Sequence, residues 1–441
     1  MIILNEKICQ VKIVSRKPCG RPIYREEKCI FHLPNKDKKE KEIFEKEFCK
    51  EFDRMEKSNS ILELNFDNFI FQDYICFKNH TFNKPLSLSC AEFSKCADFT
   101  EAKFKYRADF SSAKFNGRAD FTNAQFNDVA DFNVAIFNDN ADFMVAEFKN
   151  EAIFESAEFN KIALFTQAQF NNEAGFSYVQ FNDEAIFRWT QFNGEANFFD
   201  SEFRGKVLFG SEFTPILNNK YPINFQYCKF YKPQDVRFQY FNLSNVSFLY
   251  TDVTEVEFIN EVWGKKKGKI KGRIIVVDES RIMKDENITY DAVAQLYRRL
   301  RRNYEDNYRF AEAGDFFIGE MEMRRLDVTA RFKNENIRKI ELWLNRNVFS
   351  LLGIYKFFSL YGESYIRPAI CAFIVIILYP LLIHWHNASP INFEDFLSID
   401  IIRSLASFFQ MDSTYIPERI IGIPILALLL IALKRKFERK R

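Results

Sequence analysis

Phenylalanine recurs in this chain at a fixed interval, and that interval limits the fold more than any other feature. From Phe93 to Phe209 the spacing alternates between six and five residues without a miss, placing 22 phenylalanines across 21 intervals. Leu88, Phe82, Phe77, Phe71 and Phe66 carry the lattice backwards. Two positions before nearly every one stands a small residue, usually alanine, as at Ala97, Ala102, Ala108, Ala113, Ala119, Ala124 and Ala130. The repeat must be read before any single residue.

Within each unit of 11 residues the apolar positions fall at offsets 0, 2, 5 and 7. At about 100° per residue these land near 0°, 200°, 140° and 340°, so no helical face is apolar. A plain strand fails too, because strict alternation breaks after every phenylalanine. A very short extended piece fits, with alanine and phenylalanine both pointing inward, followed by a corner. Asparagine after the second phenylalanine (Asn116, Asn127, Asn138, Asn160, Asn171, Asn182 and Asn193) suits such a corner, since it tolerates the left-handed conformation. A chain that turns every five or six residues with its large residues inside is a solenoid. Six-residue sides stack on six-residue sides only if a coil has an even number of them, so four sides and 22 residues per coil are expected.

The segments Ala97-Asp98-Phe99, Ala108-Asp109-Phe110, Ala119-Asp120-Phe121 and Ala130-Asp131-Phe132 resemble the motif of the pentapeptide-repeat proteins. The resemblance covers roughly residues 60–262 and implies a mainly β chain, a right-handed quadrilateral β-helix. The extra residue in every second unit departs from that motif and implies a small corner bulge. Strict five-residue spacing appears later, at Phe238, Leu243, Phe248, Val253 and Phe258, while residues 214–222 interrupt the lattice as a looped-out insertion. Four regions follow: 1–58, a Cys/His-rich module with a capping helix; 60–262, the β-helix; 263–345, a basic linker and helical hairpin; and 346–441, an interfacial helix and two transmembrane helices. The rod is acidic, with 20 acidic and 11 basic residues over 91–213, whereas residues 1–60 carry 15 basic and 11 acidic ones. Nine cysteines without regular pairing, and no legible secretory leader, point to a reducing cytosolic setting for most of the chain.

Cys9, Cys19, Cys29 and His32 lie in a short basic stretch and are the right donors for tetrahedral structural zinc. Only Cys29 and His32 have the tight spacing of a zinc knuckle, so free thiols in a small loop are the competing reading. Similar cysteine-rich leaders precede the repeats in membrane-bound members of the resembled family, which favours zinc. Residues 36–57 form a charged helix with Phe44, Phe48, Phe52 and Met55 on one face, suited to covering the first coil. After the rod, residues 264–273 make a basic linker or hairpin loop, for which a solvated role or attraction to anionic lipid outranks nucleic-acid binding. Two amphipathic helices, 290–306 and 309–333, then form a hairpin resembling a tetratricopeptide unit. A partner surface and plain packing both account for it.

No Asp, Glu, Lys or Arg occurs between Arg367 and Glu394, and residues 369–385 read as a transmembrane helix. A second apolar run, 420–433, is lengthened by Tyr415 and Ile416 and by snorkelling of Lys434, Arg435 and Lys436. The basic end of the chain and the acidic stretch 387–419 place the C-terminal tail and the N-terminal domains in the cytosol by the positive-inside rule. Residues 348–361 suit a helix in the headgroup layer. Between the spans, residues 396–411 resemble the re-entrant segment of two-span potassium channels. The carbonyl-lined filter is absent, since Met411-Asp412-Ser413-Thr414-Tyr415 stands where it would fall.

Four histidines leave little for acid–base catalysis, and no enzyme is expected. His80 reads as a core or capping residue, His384 and His386 as interfacial anchors, and Asp98, Asp109, Asp120, Asp131 and Asp142 as a solvated stripe. The leading expectation is a membrane-anchored interaction scaffold that presents the rod to a protein partner. An oligomeric two-span ion channel regulated by its cytosolic domains is the alternative. A DNA-mimicking topoisomerase inhibitor ranks third, since it needs a free rod, and no nucleic acid is expected as a partner.

Overall fold

The computed structural model describes residues 19–211 apart from 20 and 27, 220–266, 272–327 apart from 283 and 286, 350–386, 400–409 and 416–438. The chain divides into two compact units, Met1–Arg281 and Ile282–Arg441.

The first unit is a β-solenoid. Its two-residue strands pair only with strands one coil away, as in Ala97↔Ala119↔Ala141, so successive coils lie in parallel register. Each coil feeds one strand to each of several parallel sheets, and the longest of these hold nine strands. The repeat length follows from the register: hydrogen-bonded partners such as Asn138 and Asn116 stand 22 residues apart. At the interruption the step rises to 27, between Asn197 and Asn224, so the coil continues around an insertion. Later it falls to 20, between Arg237 and Glu257, as the strict five-residue spacing predicts.

Inside, the phenylalanines form columns along the rod. Phe99, Phe121, Phe143 and Phe165 are fully buried, and their rings stack at 4.9–5.0 Å with planes within 2°. That separation matches the ~4.8 Å between hydrogen-bonded strands, so ring stacking and backbone pairing share one rise. Columns on different sides meet edge to face, as where Phe110 lies 5.4 Å from Phe121 at 84°. Both arrangements are favoured by the ring quadrupole. Alanine at the partner position leaves the room these rings need: Ala97, Ala108, Ala119 and Ala130 are all at 0% exposure.

The corners correct the expectation for asparagine. Left-handed backbone recurs every 11 residues, but at Glu101, Ser112, Asn123, Val134, Val145, Ser156 and Gln167, not at the asparagines following the second phenylalanine. Each sits in a tight turn closed by a bond such as Ala102 N–H to Phe99 O, at 3.0 Å. Asn116, Asn138, Asn160 and Asn182 instead form a ladder, each donating to the previous one at 2.7–2.9 Å. A branched side chain is costly in left-handed backbone. Replacing Val134, φ 57° and 45% exposed, with asparagine should therefore raise stability by about 1 kcal/mol in urea melts. An unchanged midpoint would contradict the strain.

The aspartates are not a simple solvated stripe. Asp98, Asp109, Asp120, Asp131 and Asp142 each accept the backbone N–H two residues on, at 2.9–3.1 Å, and so hold the corner. Arg118 bridges Asp120 and Asp142 at 2.8 and 3.0 Å, joining consecutive coils. Asp131 and Asp142 are buried.

Helix α1, Lys38–Lys57, begins at a capping box between Asp37 and Glu40. Its Phe48 packs 5.2 Å from both Phe66 and Phe71, and Phe52 lies 5.7 Å from Phe77. The helix therefore lays its apolar face on the first coil. His80, half-buried, packs against Phe52 and Phe82 and meets Glu56 at 3.2 Å. At the other end the basic segment is flanked by a two-stranded antiparallel ladder, Gly264–Lys266 with Arg273–Ile275. The short helix α2, Val277–Arg281, follows.

The second unit is helical. Helices α3, Tyr290–Asp306, and α4, Phe310–Asp327, form the expected hairpin. Leu296, Tyr297, Leu300 and Phe316 are buried within it. The continuation predicted to residue 333 lies outside the described residues. Helix α5, Leu351–Ser359, is followed by α6, Ile366–His386, α7, Ile401–Phe408, and α8, Ile416–Glu438. Among the described residues α6 alone is long and apolar enough to cross a membrane, against the two such helices expected. The uncharged run of α8 covers residues 420–433 and ends at Lys434, Arg435 and Lys436. The expected re-entrant segment contains α7, which packs Phe408 with Ala372, Ile376 and Ile425, while the filter position, 411–415, lies outside the described residues.

Candidate functional site

Three of the four residues singled out as metal donors converge. Cys19, Cys29 and His32 place their donor atoms within 4.8 Å of one another. The two sulfurs are 3.8 Å apart, and the Cys29 sulfur is 3.3 Å from His32 Nδ1. Donors about 2.3 Å (S) and 2.0–2.1 Å (N) from a tetrahedral zinc would be separated by distances of this order. His32 Nε2 lies 3.3 Å from the carbonyl of Asp67 in the first coil, the kind of outer contact that fixes a ligand's tautomer. Contact with Cys29 pulls the Cys19 thiol down to about 3 against the effect of burial, with His32 and Arg21 adding to the pull. The thiolate is the form a metal needs. Arg21 donates to the Cys19 sulfur at 3.4 Å and covers the rings of Phe31 and Phe69. Cys9, the fourth expected donor, lies outside the described residues.

Nearby Lys36 is buried, yet its ammonium donates to the carbonyls of Leu33 and Ile70 at 2.6 and 2.9 Å. Burial pushes its pKa down to about 8. These bonds tie the segment that carries the cluster to the rod.

The rod's outer surface repeats with its coils. Lys103, Gln125, Glu147, Gln169 and Gln191 follow one another along one ladder, and Glu92, Lys114, Ile136, Glu158 and Gln180 along another. Towards the C-terminal coils one corner becomes aromatic. Tyr178, Phe199, Tyr227 and Tyr250 form a continuous row with ring centroids 4.5–5.7 Å apart. Single-residue patterning gave no sign of this row, because its members come from turn positions whose identity varies.

In the second unit a carboxylate joins two helices and the turn that follows the second. Glu322 of α4 accepts from Arg325 at 2.9 Å, from Lys356 of α5 at 2.9 Å, and from the Tyr361 hydroxyl at 2.5 Å. Arg435 of α8 donates to the Tyr361 carbonyl at 2.9 Å and to Glu363 at 3.2 Å. His384, read as an interfacial anchor, is 2.8 Å from Asp400 at the start of α7. Apart from the i, i+3 pair of Glu322 and Arg325, these pairings join residues far apart in the sequence.

Stacked parallel coils around phenylalanine columns define a β-solenoid repeat protein. Two stretches of the rod, residues 88–136 and 154–202, match the family model described as "Pentapeptide repeats (9 copies)". An uncharacterized protein of Methanocaldococcus jannaschii is similar, 28% identical over 231 residues, which cover 45% of this chain. The match spans about half, 46%, of that relative's length. No solved structure matches the chain.

Proposed function

We propose that the chain is a membrane-anchored interaction scaffold, with the pentapeptide-repeat rod, a right-handed coil of quadrilateral section, as its binding surface. The repeating exposed ladders support this reading, because they offer side chains at a constant rise on a rigid frame. Helix α1 serves as the end cap of the rod. Anchoring rests on α6, whose Ile370, Phe373, Leu378, Leu382 and Trp385 are 49–82% exposed. Apolar surface on this scale needs a cover. Helix α8 completes a two-span anchor, with the rod and the C-terminal tail in the cytosol. Full-length chain should sediment with membranes and resist alkaline carbonate, whereas a chain ending at residue 345 should stay in the supernatant. Photocrosslinkers at Lys103 and Gln191 should trap the same protein partner, and different partners or none would sink the scaffold reading.

The packing of α7 between α6 and α8, with Ser404 donating to the Ile376 carbonyl at 2.8 Å, favours a channel as the second reading. That reading requires a homo-oligomer in detergent and cation currents in bilayers.

Structural zinc at Cys19, Cys29 and His32, with Cys9 as a further ligand, ties the N-terminal module to the first coil. One equivalent of zinc should be retained by purified protein and lost in Cys29→Ser, with a lower melting temperature. Equal zinc content in the variant would remove the cluster from consideration.

A further inference from the structure

Where the turn between α3 and α4 meets the turn before α6 and the end of α8, a cavity of about 540 Å³ opens within the second unit. Its wall includes Arg309, Phe310, Glu312, Tyr365, Arg435 and Lys436. Two of the three cations are paired: Arg309 with Glu312 at 2.9 Å and Arg435 with Glu363 at 3.2 Å. Lys436 has no carboxylate partner among the described residues. Its ammonium lies 3.8 Å above the Tyr365 ring, which holds the charge without neutralising it. The cavity therefore carries one cation in excess, which suits a singly charged anion.

Position narrows the anion. Tyr365 immediately precedes α6, and Arg435 and Lys436 end the apolar stretch of α8, so both apolar helices meet their polar boundary here. Tyr308 at the cavity is 82% exposed and packs edge-on to Phe310, as amphipathic rings do at a membrane surface. Away from the cavity, Ile366, Ile370 and Ile431 are 42–54% exposed and give acyl chains an apolar track. Basic pockets beside spans on the cytosolic side are suited to lipid headgroups.

We propose that this cavity binds the phosphate headgroup of an anionic phospholipid, an inference that rests on α6 lying in a bilayer. The test uses full-length protein in nanodiscs of phosphatidylcholine, with and without phosphatidylglycerol, followed by native mass spectrometry of the lipids it retains. Wild-type protein should retain phosphatidylglycerol over phosphatidylcholine. Lys436→Gln should lower that retention roughly fivefold, Lys436→Arg should preserve it, and both variants should melt like the wild type. Equal retention of the two lipids, or an unchanged Lys436→Gln, overturns the site, as does displacement of the lipid by inorganic phosphate, which would mark a soluble-anion pocket. A chain that never enters the nanodiscs fails the anchoring reading as well. One that enters without lipid preference fails the headgroup site alone.

Discussion

Replacing Phe143 with alanine lowers the stability of the rod by about 3–5 kcal/mol, the cost of emptying a well-packed aromatic site. Phe143 is at 0% exposure and touches rings on every side: Phe121 and Phe165 at 5.0 Å along its column, Phe132 and Phe154 at 5.4 and 5.3 Å across the core. The backbone around it is fixed by its neighbours' hydrogen bonds, so the coil has little freedom to collapse into the gap. A solenoid also localises damage, because each coil contacts only the next ones. Hydrogen exchange should quicken in the coils from Phe121 to Phe165 before it changes at Phe66 or Phe248. Uniform acceleration along the rod would show that the coils unfold as one block.

Glu322→Gln costs about 3–5 kcal/mol of helical-unit stability, although the change is nearly isosteric. The carboxylate sits among Arg325, Lys356 and Tyr361, and its loss removes the charge that both cations and the hydroxyl converge on. Burial alone would push the Glu322 pKa up, but the bonds from Arg325, Tyr361 and Lys356 outweigh it and pull it to about 2. A depressed acid contributes stability that is complete above its unfolded value of about 4.3. That contribution falls away as the pH drops through that value towards about 2. Thermal melts followed at the helical signal should show this acid limb in the wild type and its loss in Glu322→Gln. An identical limb in the variant would assign it to other groups.

The rod was legible in the sequence because its lattice is a burial pattern: every phenylalanine from Phe93 to Phe209 had to face inward for any fold to close. The corner chemistry was less so. Asparagine advertises left-handed backbone, yet the structure places that conformation at Glu101, Val134 and Trp189, where ladder pairing overrides local preference. The aspartates were read as solvent-facing because a sequence shows their charge but not the backbone N–H two residues on. The candidate donors Cys19, Cys29 and His32 could be named from residue type alone, with free thiols as the competing reading, but their separations came only from the fold. Glu322 was missed for a different reason. Its partners Lys356 and Tyr361 lie 34 and 39 residues away, on another helix and in the turn after it. Of the two expected spans only α6 stands out among the described residues, since the uncharged run of the second, 420–433, is 14 residues long.

The solenoid itself is tested most directly by distance. Spin labels at Lys103 and Gln191 sit on the same ladder, four coils apart. Electron–electron resonance in a background without native cysteines should give a narrow distribution near 19 Å, four steps of ~4.8 Å broadened by the label arms. A broad distribution, or a distance of several tens of ångströms, would contradict the coiled account outright.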